Sequence, residues 1–119
     1  MAPSNNKNPD DALGVDNTLT DVLGDHPKVR ILAVLLSESR RDLNPSDIAR
    51  LAGIERSTFY DHRKDLLNYG LIEETRTVGN STMYQINKDS DAAQALGEFD
   101  HEVANVFLNG GTDDATTEA

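Results

Sequence analysis

A chain of 119 residues holds one domain with a single modest core. It has no cysteine, which excludes disulfides, thiolate catalysis, zinc ribbons and a thiol-based redox switch. Its net charge of -10 is opposite in sign to that of most nucleic-acid-binding domains, which cluster Lys and Arg to bind phosphate.

The acidic residues are spread unevenly along the chain. Between residues 28 and 88, ten basic residues stand against eight acidic ones, whereas the rest of the chain holds one lysine and thirteen acids. Because most acidic residues lie outside residues 28–88, this segment has a small positive net charge that can attract phosphate. The acids are mostly Asp, the bases mostly Arg, and aromatics make up 5% of residues. This balance resembles proteins of extreme halophiles, whose acidic surfaces stay hydrated in concentrated potassium chloride; an ordinary acidic domain is the alternative.

Both ends of the chain are polar. We expect residues 1–17 and 110–119 to be flexible acidic tails, because they are poor in large apolar groups and rich in Asn, Asp, Thr and Gly. No apolar run approaches the length of a signal peptide or a membrane span. We therefore expect a cytoplasmic protein without a membrane partner, with its main domain in residues 18–88.

Helix-start signals open this domain. A short amphipathic turn is predicted at Thr18–Leu23, and Asp25 as N-cap with Pro27 in the first turn predicts the first core helix. The apolar residues of that helix are Val29, Leu32, Ala33, Leu35 and Leu36. Asn44 and Pro45 repeat the signal, with an acid three residues after the cap, and predict a second helix that ends near Gly53.

A third helix and a hairpin follow. The third helix is predicted over residues 56–69 and is closed by Gly70. Residues 71–78 and 82–86 are rich in β-branched and aromatic side chains, and Gly79-Asn80-Ser81 between them has turn chemistry. The order of elements predicts a mainly α fold with a small β-hairpin wing (α+β), the winged helix-turn-helix arrangement.

The last predicted helix, within residues 89–109, carries an apolar seam at spacings of 4, 3, 4 and 3. The seam consists of Ala92, Leu96, Phe99, Val103 and Val106. Such a helix can fold back on its own domain or pair with the same helix of a second chain. Its length and terminal position favour the pair, so we expect a homodimer built on this dimerisation helix.

The third helix has two contrasting sides at about 100° per residue. One side carries Phe59, His62, Leu66 and Tyr69; the opposite side carries Ser57, Tyr60, Asp61, Lys64 and Asn68. Hydrogen-bonding side chains on such a face read base edges in the major groove, although a face that contacts only solvent would look similar. We predict base readout by Arg56, Ser57, Thr58, Tyr60 and Asp61. We predict DNA-backbone contacts by Ser46, Arg63, Lys64 and Asn68, with an ordinary helix cap as the alternative for Ser46.

Two arginines have competing interpretations. Arg63 lies between the core side and the groove side of the third helix, and either extends its guanidinium to the DNA backbone or pairs with Asp47 or Glu55. Arg76 and Asn80 in the hairpin suit a narrow minor groove, where wings commonly insert arginine. The alternative for Arg76 is a surface ion pair with Glu74.

The motifs that carry a family resemblance are Ser46-Asp47-Ile48-Ala49, Ser57-Thr58-Phe59-Tyr60, Leu66, Tyr69-Gly70-Leu71-Ile72 and Tyr84-Gln85-Ile86. Residues 27–88 thereby resemble archaeal and bacterial winged helix-turn-helix transcription regulators. With the halophile composition and the absence of cysteine, the chain is similar to the haloarchaeal regulators that respond to reactive oxygen species. The resemblance implies a homodimer bound to pseudo-palindromic double-stranded DNA, in an oxidative-stress response. Arg63 departs from the family pattern, in which that position is commonly apolar.

Catalytic and metal-binding patterns are missing from the sequence. It has no Gly-rich phosphate loop, nucleophile elbow or paired carboxylates in apolar surroundings, and His26, His62 and His101 lack ligand spacing. We expect no enzyme activity, metal or cofactor, but we expect salt ions between the acidic surface and DNA. The alternative function is a winged helix used for protein contacts within a larger assembly.

Overall fold

The computed structural model describes residues 18–109; both predicted tails, 1–17 and 110–119, lie outside the described residues. Within that range the elements are α1 (Thr18–Leu23), α2 (Pro27–Ser37), α3 (Pro45–Ala52), α4 (Arg56–Asn68), β1 (Ile72–Val78), β2 (Ser81–Ile86) and α5 (Asp91–Leu108). The predicted class, mainly α with a small β-hairpin wing, is confirmed. Across residues 18–109 no helix has both the length and the apolar character that crossing a bilayer requires.

The start of α2 differs from the prediction by one residue. Pro27 occupies the first helical position, so the residue directly before it, His26, is the N-cap. His26 Nδ1 accepts a hydrogen bond from the Lys28 N–H at 3.1 Å. The prediction of Asp25 as N-cap is therefore wrong; its carboxylate instead accepts two hydrogen bonds from the Arg30 guanidinium, at 2.6 and 3.0 Å.

The turn between α3 and α4 follows the predicted pattern. The Asn44 side chain accepts a hydrogen bond from the Asp47 N–H at 2.8 Å and caps α3. Gly53 ends α3 in the left-handed conformation, with φ of 70°, and its N–H bonds back to the last turn of the helix. Arg30 of α2 donates from Nη1 to the Ala52 carbonyl at 2.9 Å, so α2 supports this turn from outside the two helices.

The core lies where α2, α3 and α4 meet the hairpin. Its largest fully buried side chains are Tyr84, Phe59, Ile31, Leu35, Leu43, Ile48, Leu66 and Ile72. Each buried aliphatic or aromatic side chain of this size contributes about 1.5–3 kcal/mol through removal from water. In α2 the burial of Ala33 and Leu35 agrees with the prediction, whereas Ile31 and Val34, which the pattern missed, are fully buried.

The hairpin, which we call the wing, has a two-residue loop. Val78 pairs with Ser81, so Ser81 begins β2 and does not belong to the turn as predicted. Gly79, the first loop residue, has φ of 62°, and in this range no residue other than glycine has a positive φ. Glycine at the first central position is the pattern of a type II′ turn, whose twist suits two antiparallel strands.

A β-bulge interrupts the wing halfway along β1. Glu74 pairs with Tyr84 and Thr77 with Thr82, which leaves Thr75 and Arg76 together opposite one residue of β2. Such a bulge bends its strand and re-aims the side chains on it. Because of this extra residue, β1 does not keep simple alternation to its end.

The wing is also joined to the connection between α2 and α3. Leu43 and Tyr84 exchange two backbone hydrogen bonds of 2.8 Å each, which forms an isolated antiparallel bridge. Both side chains are fully buried. The base of the wing is therefore fixed to the helical part of the domain.

Candidate nucleic-acid interface

The side of α4 that faces away from the core is exposed along its whole length. We call Ser57, Tyr60, Asp61, Lys64 and Asn68 the outer face of α4; all five are exposed, as is Arg56 at the helix start. On the inner side Phe59 and Leu66 are fully buried and His62 is half-buried. The predicted division of the helix into two sides is confirmed for these residues.

Two predicted positions on this helix need comment. Tyr69 was expected on the core side but is exposed, because α4 ends at Asn68 and the Tyr69 ring extends beyond the core. Its ring lies 5.8 Å from the Lys28 ammonium instead. Thr58, predicted to read a base, is half-buried and so is less accessible than Arg56 and Ser57 beside it.

Arg56 and Tyr60 form one unit at the N-terminal end of α4. Arg56 Nη2 donates a hydrogen bond to the Tyr60 hydroxyl at 3.2 Å, and the guanidinium lies 5.1 Å from the ring centroid. Both side chains remain exposed. A planar cation stacked on an aromatic ring keeps its other N–H groups free for acceptors such as guanine O6 and N7.

Arg63 points inward instead of toward an acidic partner. Its Nη1 donates to the hydroxyl of Tyr84 at 3.0 Å, and this hydrogen bond raises the pKa of the Arg63 guanidinium above its ordinary value. The alternative ion pair with Asp47 or Glu55 is wrong: Asp47 lies 3.5 Å from Arg50, and Arg63 makes no salt bridge within residues 18–109. The reason is that the Tyr84 hydroxyl, at the end of a buried ring, lies within reach of the helix.

Arg76, in the bulge halfway along β1, is bound to the connection between α2 and α3. Its Nε and Nη2 donate to Asp42 Oδ2 and Oδ1 at 2.9 and 3.1 Å, and the Thr75 hydroxyl donates to the same carboxylate. These hydrogen bonds, that from Arg76 first, lower the pKa of Asp42 to about 2. The alternative pairing of Arg76 with Glu74 is therefore wrong. The bulge explains the difference, because it places Thr75 and Arg76 where both reach the α2 to α3 connection.

The remaining predicted DNA contacts are exposed. Asn80 lies in the loop at the tip of the wing, and Ser46 lies in the first turn of α3. Through the bond between Arg63 and Tyr84 the structure joins the wing to α4. Asp42 and Tyr84 were missed as members of the site, and Asp42 gives no sequence signal because its partner is 34 residues away.

Metal-binding geometry is not found within the described range. No group of three His, Asp or Glu side chains in residues 18–109 could hold a metal ion. The rings of His26 and His62 approach edge to face with centroids 5.4 Å apart, but no third metal-binding side chain joins them in the part of the chain that the structure describes.

The C-terminal helix divides its apolar residues between two sides. Ala93 is buried and Gly97 packs on Leu36, so α5 contacts its own domain through a face that the predicted seam did not include. Of the seam residues, Leu96 and Val103 are half-buried, and the others are exposed. We call Ala92, Phe99 and Val106, one every seven residues, the apolar strip of α5. Phe99 is 40% exposed and Val106 58%.

Comparison with known proteins matched no family model, no curated protein and no solved structure. Functional inference for this chain therefore depends on the geometry of its own residues. The resemblance to winged helix-turn-helix regulators, drawn from short motifs, stays a prediction.

Proposed function

We propose that the chain is a sequence-specific DNA-binding regulator of transcription that acts as a homodimer on a pseudo-palindromic operator. In this proposal α4 enters the major groove and the wing lies along the adjacent minor groove. The observation that carries it is the outer face of α4, which is polar, exposed along 13 residues and bordered by a capped helix on one side and a wing on the other.

The dimensions and chemistry of this face suit base readout. A helix of 13 residues is about 20 Å long and fits a major groove about 12 Å wide. Arg56, Ser57, Tyr60 and Asp61 offer donors and acceptors toward the start of the helix, where recognition helices approach base edges. We assign Thr58 a smaller part in base readout, since it is half-buried.

Backbone contacts would come from positions that flank the outer face. Lys64 and Asn68 lie further along α4, and Ser46 lies in the first turn of α3, where unpaired N–H groups and the helix dipole favour an anion. Lys64 makes no ion pair within residues 18–109, so its charge is available to phosphate. Asn80 is assigned to the minor groove from the tip of the wing.

The competing function is a protein-binding subunit of a larger assembly. A protein-binding surface would present a contiguous apolar patch. On the outer face of α4 the exposed large apolar group is Tyr60, whose ring is covered in part by Arg56. This polarity favours nucleic acid as the partner of α4.

The apolar strip of α5 supports the homodimer. Phe99 and Val106 leave apolar surface uncovered on the protomer, and Phe107 and Leu108 at the end of the helix are exposed as well. A two-fold pairing of α5 helices would bury this surface and present two copies of α4 to half-sites about one helical turn of DNA apart. Leu96 and Val103, the other large residues of the predicted dimer interface, are half-buried and lie next to Phe99 along the helix.

The setting of the regulator follows from composition and resemblance. We assign it to a haloarchaeal cytoplasm, with salt ions between its acidic surface and the duplex, and to an oxidative-stress response. Because the chain has no cysteine, that response would not involve a thiol of the protein itself. Comparing the transcripts of a deletion strain and its parent after peroxide treatment tests this assignment.

Selection of bound duplexes from a random pool tests DNA recognition directly. The full chain would be incubated with the pool at several potassium chloride concentrations, and bound duplexes sequenced. We expect enrichment of an inverted repeat. The control is the triple variant R56A/S57A/K64A, which changes exposed residues and keeps the core. No enrichment by the wild type at any salt concentration, or equal enrichment by the variant, would contradict the proposal.

A further inference from the structure

Arg63 occupies the joint between α4 and the wing. Its side chain leaves α4 on the border of the outer face, and its Nη1 donates to the hydroxyl of Tyr84 on β2, 3.0 Å away. Tyr84 is fully buried and also holds the bridge to Leu43. Arg63 thus binds a buried residue of the wing that is itself hydrogen-bonded to the helical part of the domain.

The Arg63 guanidinium also contacts Tyr60, the aromatic residue of the outer face of α4. The Arg63 guanidinium lies 5.5 Å from the centroid of Tyr60, and that of Arg56 lies 5.1 Å from it. Phe59 touches Tyr60 and Tyr84 edge to face, with centroids 5.7 and 5.1 Å away. The Tyr60 ring is therefore held by two cations and by an aromatic contact that leads into the core.

The environment of Arg63 differs from that of a phosphate-binding arginine. Its Nε is buried and has no hydrogen-bond partner among residues 18–109, whereas Lys64, the next residue, is exposed. Turning the guanidinium outward to a phosphate would break the bond to Tyr84 and remove the cation from the Tyr60 ring. The planar group makes both contacts at once, which a lysine ammonium cannot do.

We propose that Arg63 is a positioning residue that fixes the Tyr60 ring against the wing and thereby determines DNA sequence specificity without contacting DNA. This inference rests on the proposed function, and it replaces the backbone contact that the sequence suggested for Arg63. With Arg63 in this role, the orientation of the base-reading Tyr60 side chain depends on the position of the wing. A displaced wing would then alter the choice of bases under α4.

The salt dependence of binding separates this role from a phosphate contact. Each neutralised phosphate contributes about -0.9 to the slope of log affinity against log salt. We expect R63M to lower affinity for the selected operator roughly tenfold, so that operator and random duplex are bound with more similar affinities. The slope of log affinity against log salt should not change. K64A, the matched control, should change the slope and weaken both duplexes alike. A slope reduced in R63M as in K64A would overturn the proposal.

Two further variants test the chemistry of the joint. Y84F removes the hydroxyl that Arg63 binds and keeps the buried ring, so it should lower the specificity ratio in the same direction as R63M. The double variant R63M/Y84F should be no worse than R63M alone, because both changes break one connection. R63K should not restore specificity; full restoration by lysine would show that charge alone suffices and would overturn the planar contact.

Measurements without DNA distinguish failure of this inference from failure of the proposed function. In nuclear magnetic resonance spectra of the free protein we expect R63M and Y84F to shift the Tyr60 ring protons, and K64A to leave them in place. Unchanged Tyr60 resonances in R63M would remove the positioning role even if the protein binds DNA. If the wild type selects no duplex while Tyr60 shifts as expected, the contact stands and the proposed function falls.

Discussion

Asp42 accepts both parallel hydrogen bonds that the Arg76 guanidinium offers, across 34 residues of chain. The pair joins the segment after α2 to the bulged strand of the wing, and the Thr75 hydroxyl completes the set of donors on the carboxylate. A wing arginine that the sequence placed in a minor groove is thus engaged with the body of its own domain. Two predictions follow from this pair.

The first concerns acid stability. The pKa of Asp42 falls from 3.8 to about 2 on folding, so its contribution to stability is complete well above pH 4 and is lost as pH falls through about 2. We expect D42N to be less stable than wild type at pH 6, with a difference that shrinks toward pH 2. Thermal denaturation of both proteins over that range measures it. A difference that does not vary with pH would contradict the assignment.

The second concerns competition for Arg76. If DNA and Asp42 bind the same guanidinium, R76A should weaken binding most where A·T-rich flanks narrow the minor groove, and D42N should strengthen binding there. Binding assays on operators with A·T-rich and G·C-rich flanks compare the variants. Equal weakening by both variants on both flanks would show that the pair only anchors the wing.

Base readout by the start of α4 predicts position-specific losses. R56A and S57A should each cost about 1–3 kcal/mol on the operator and relax the preference at one or two base pairs. Affinities for a set of singly substituted operators give the pattern. K64A serves as the control, because loss of a phosphate contact weakens all sequences to a similar extent. Uniform losses for R56A and S57A would assign them to the backbone.

The dimer prediction can be tested without disturbing the core. Removal of residues 90–119 should give monomers and weaken DNA binding, but it also removes the buried Ala93. The double variant F99E/V106E is cleaner, since both side chains are more than a third exposed in the protomer. We expect a monomer by light scattering. E98Q, an exposed change elsewhere on α5, should stay dimeric. A dimeric F99E/V106E would move the interface toward α1 and α2.

Salt dependence tests the halophilic character of the binding. If acidic residues on α5 and in the tails stand near the duplex, cations must fill the gap, and their uptake offsets counterion release. We expect a slope of log affinity against log potassium chloride that is much shallower than the phosphate contacts imply, or reversed, with specific binding at multimolar salt. Titrations with the full chain and with residues 1–17 and 110–119 deleted measure it. A steep negative slope would contradict halophilic DNA binding and would indicate an ordinary acidic winged-helix protein.

The elements were predictable because their signals are local. Asn44 with Pro45 marks the start of α3, and Gly70 follows α4, each through chemistry within a few residues of the helix end. The N-cap of α2 is an exception: side-chain preference favours Asp25, but Pro27 at the first helical position makes His26 the cap. The alternation of sides along α4 likewise needed only the helical period.

The contacts of Arg63 and Arg76 were not predictable in this way. Their partners, Tyr84 and Asp42, lie 21 and 34 residues away, and no periodicity relates them. The Arg76 contact also depends on a bulge, which adds one residue to a strand and so reverses the direction expected from alternation. The helical period predicts the exposed face of α4, whereas the connections beneath it depend on contacts between residues far apart in the chain.

The left-handed turn at Gly53 carries a consequence for how this sequence can diverge. A Cβ at that position would lie 2.9 Å from Nη1 of Arg30, and the positive φ would add about 1–2 kcal/mol of strain for most other residues. A side chain at position 53 would require the Arg30 guanidinium to shift and to give up its hydrogen bond to the Ala52 carbonyl. In descendants of this chain, replacement of Gly53 should therefore be accompanied by a substitution of Arg30 or by a new placement of its side chain.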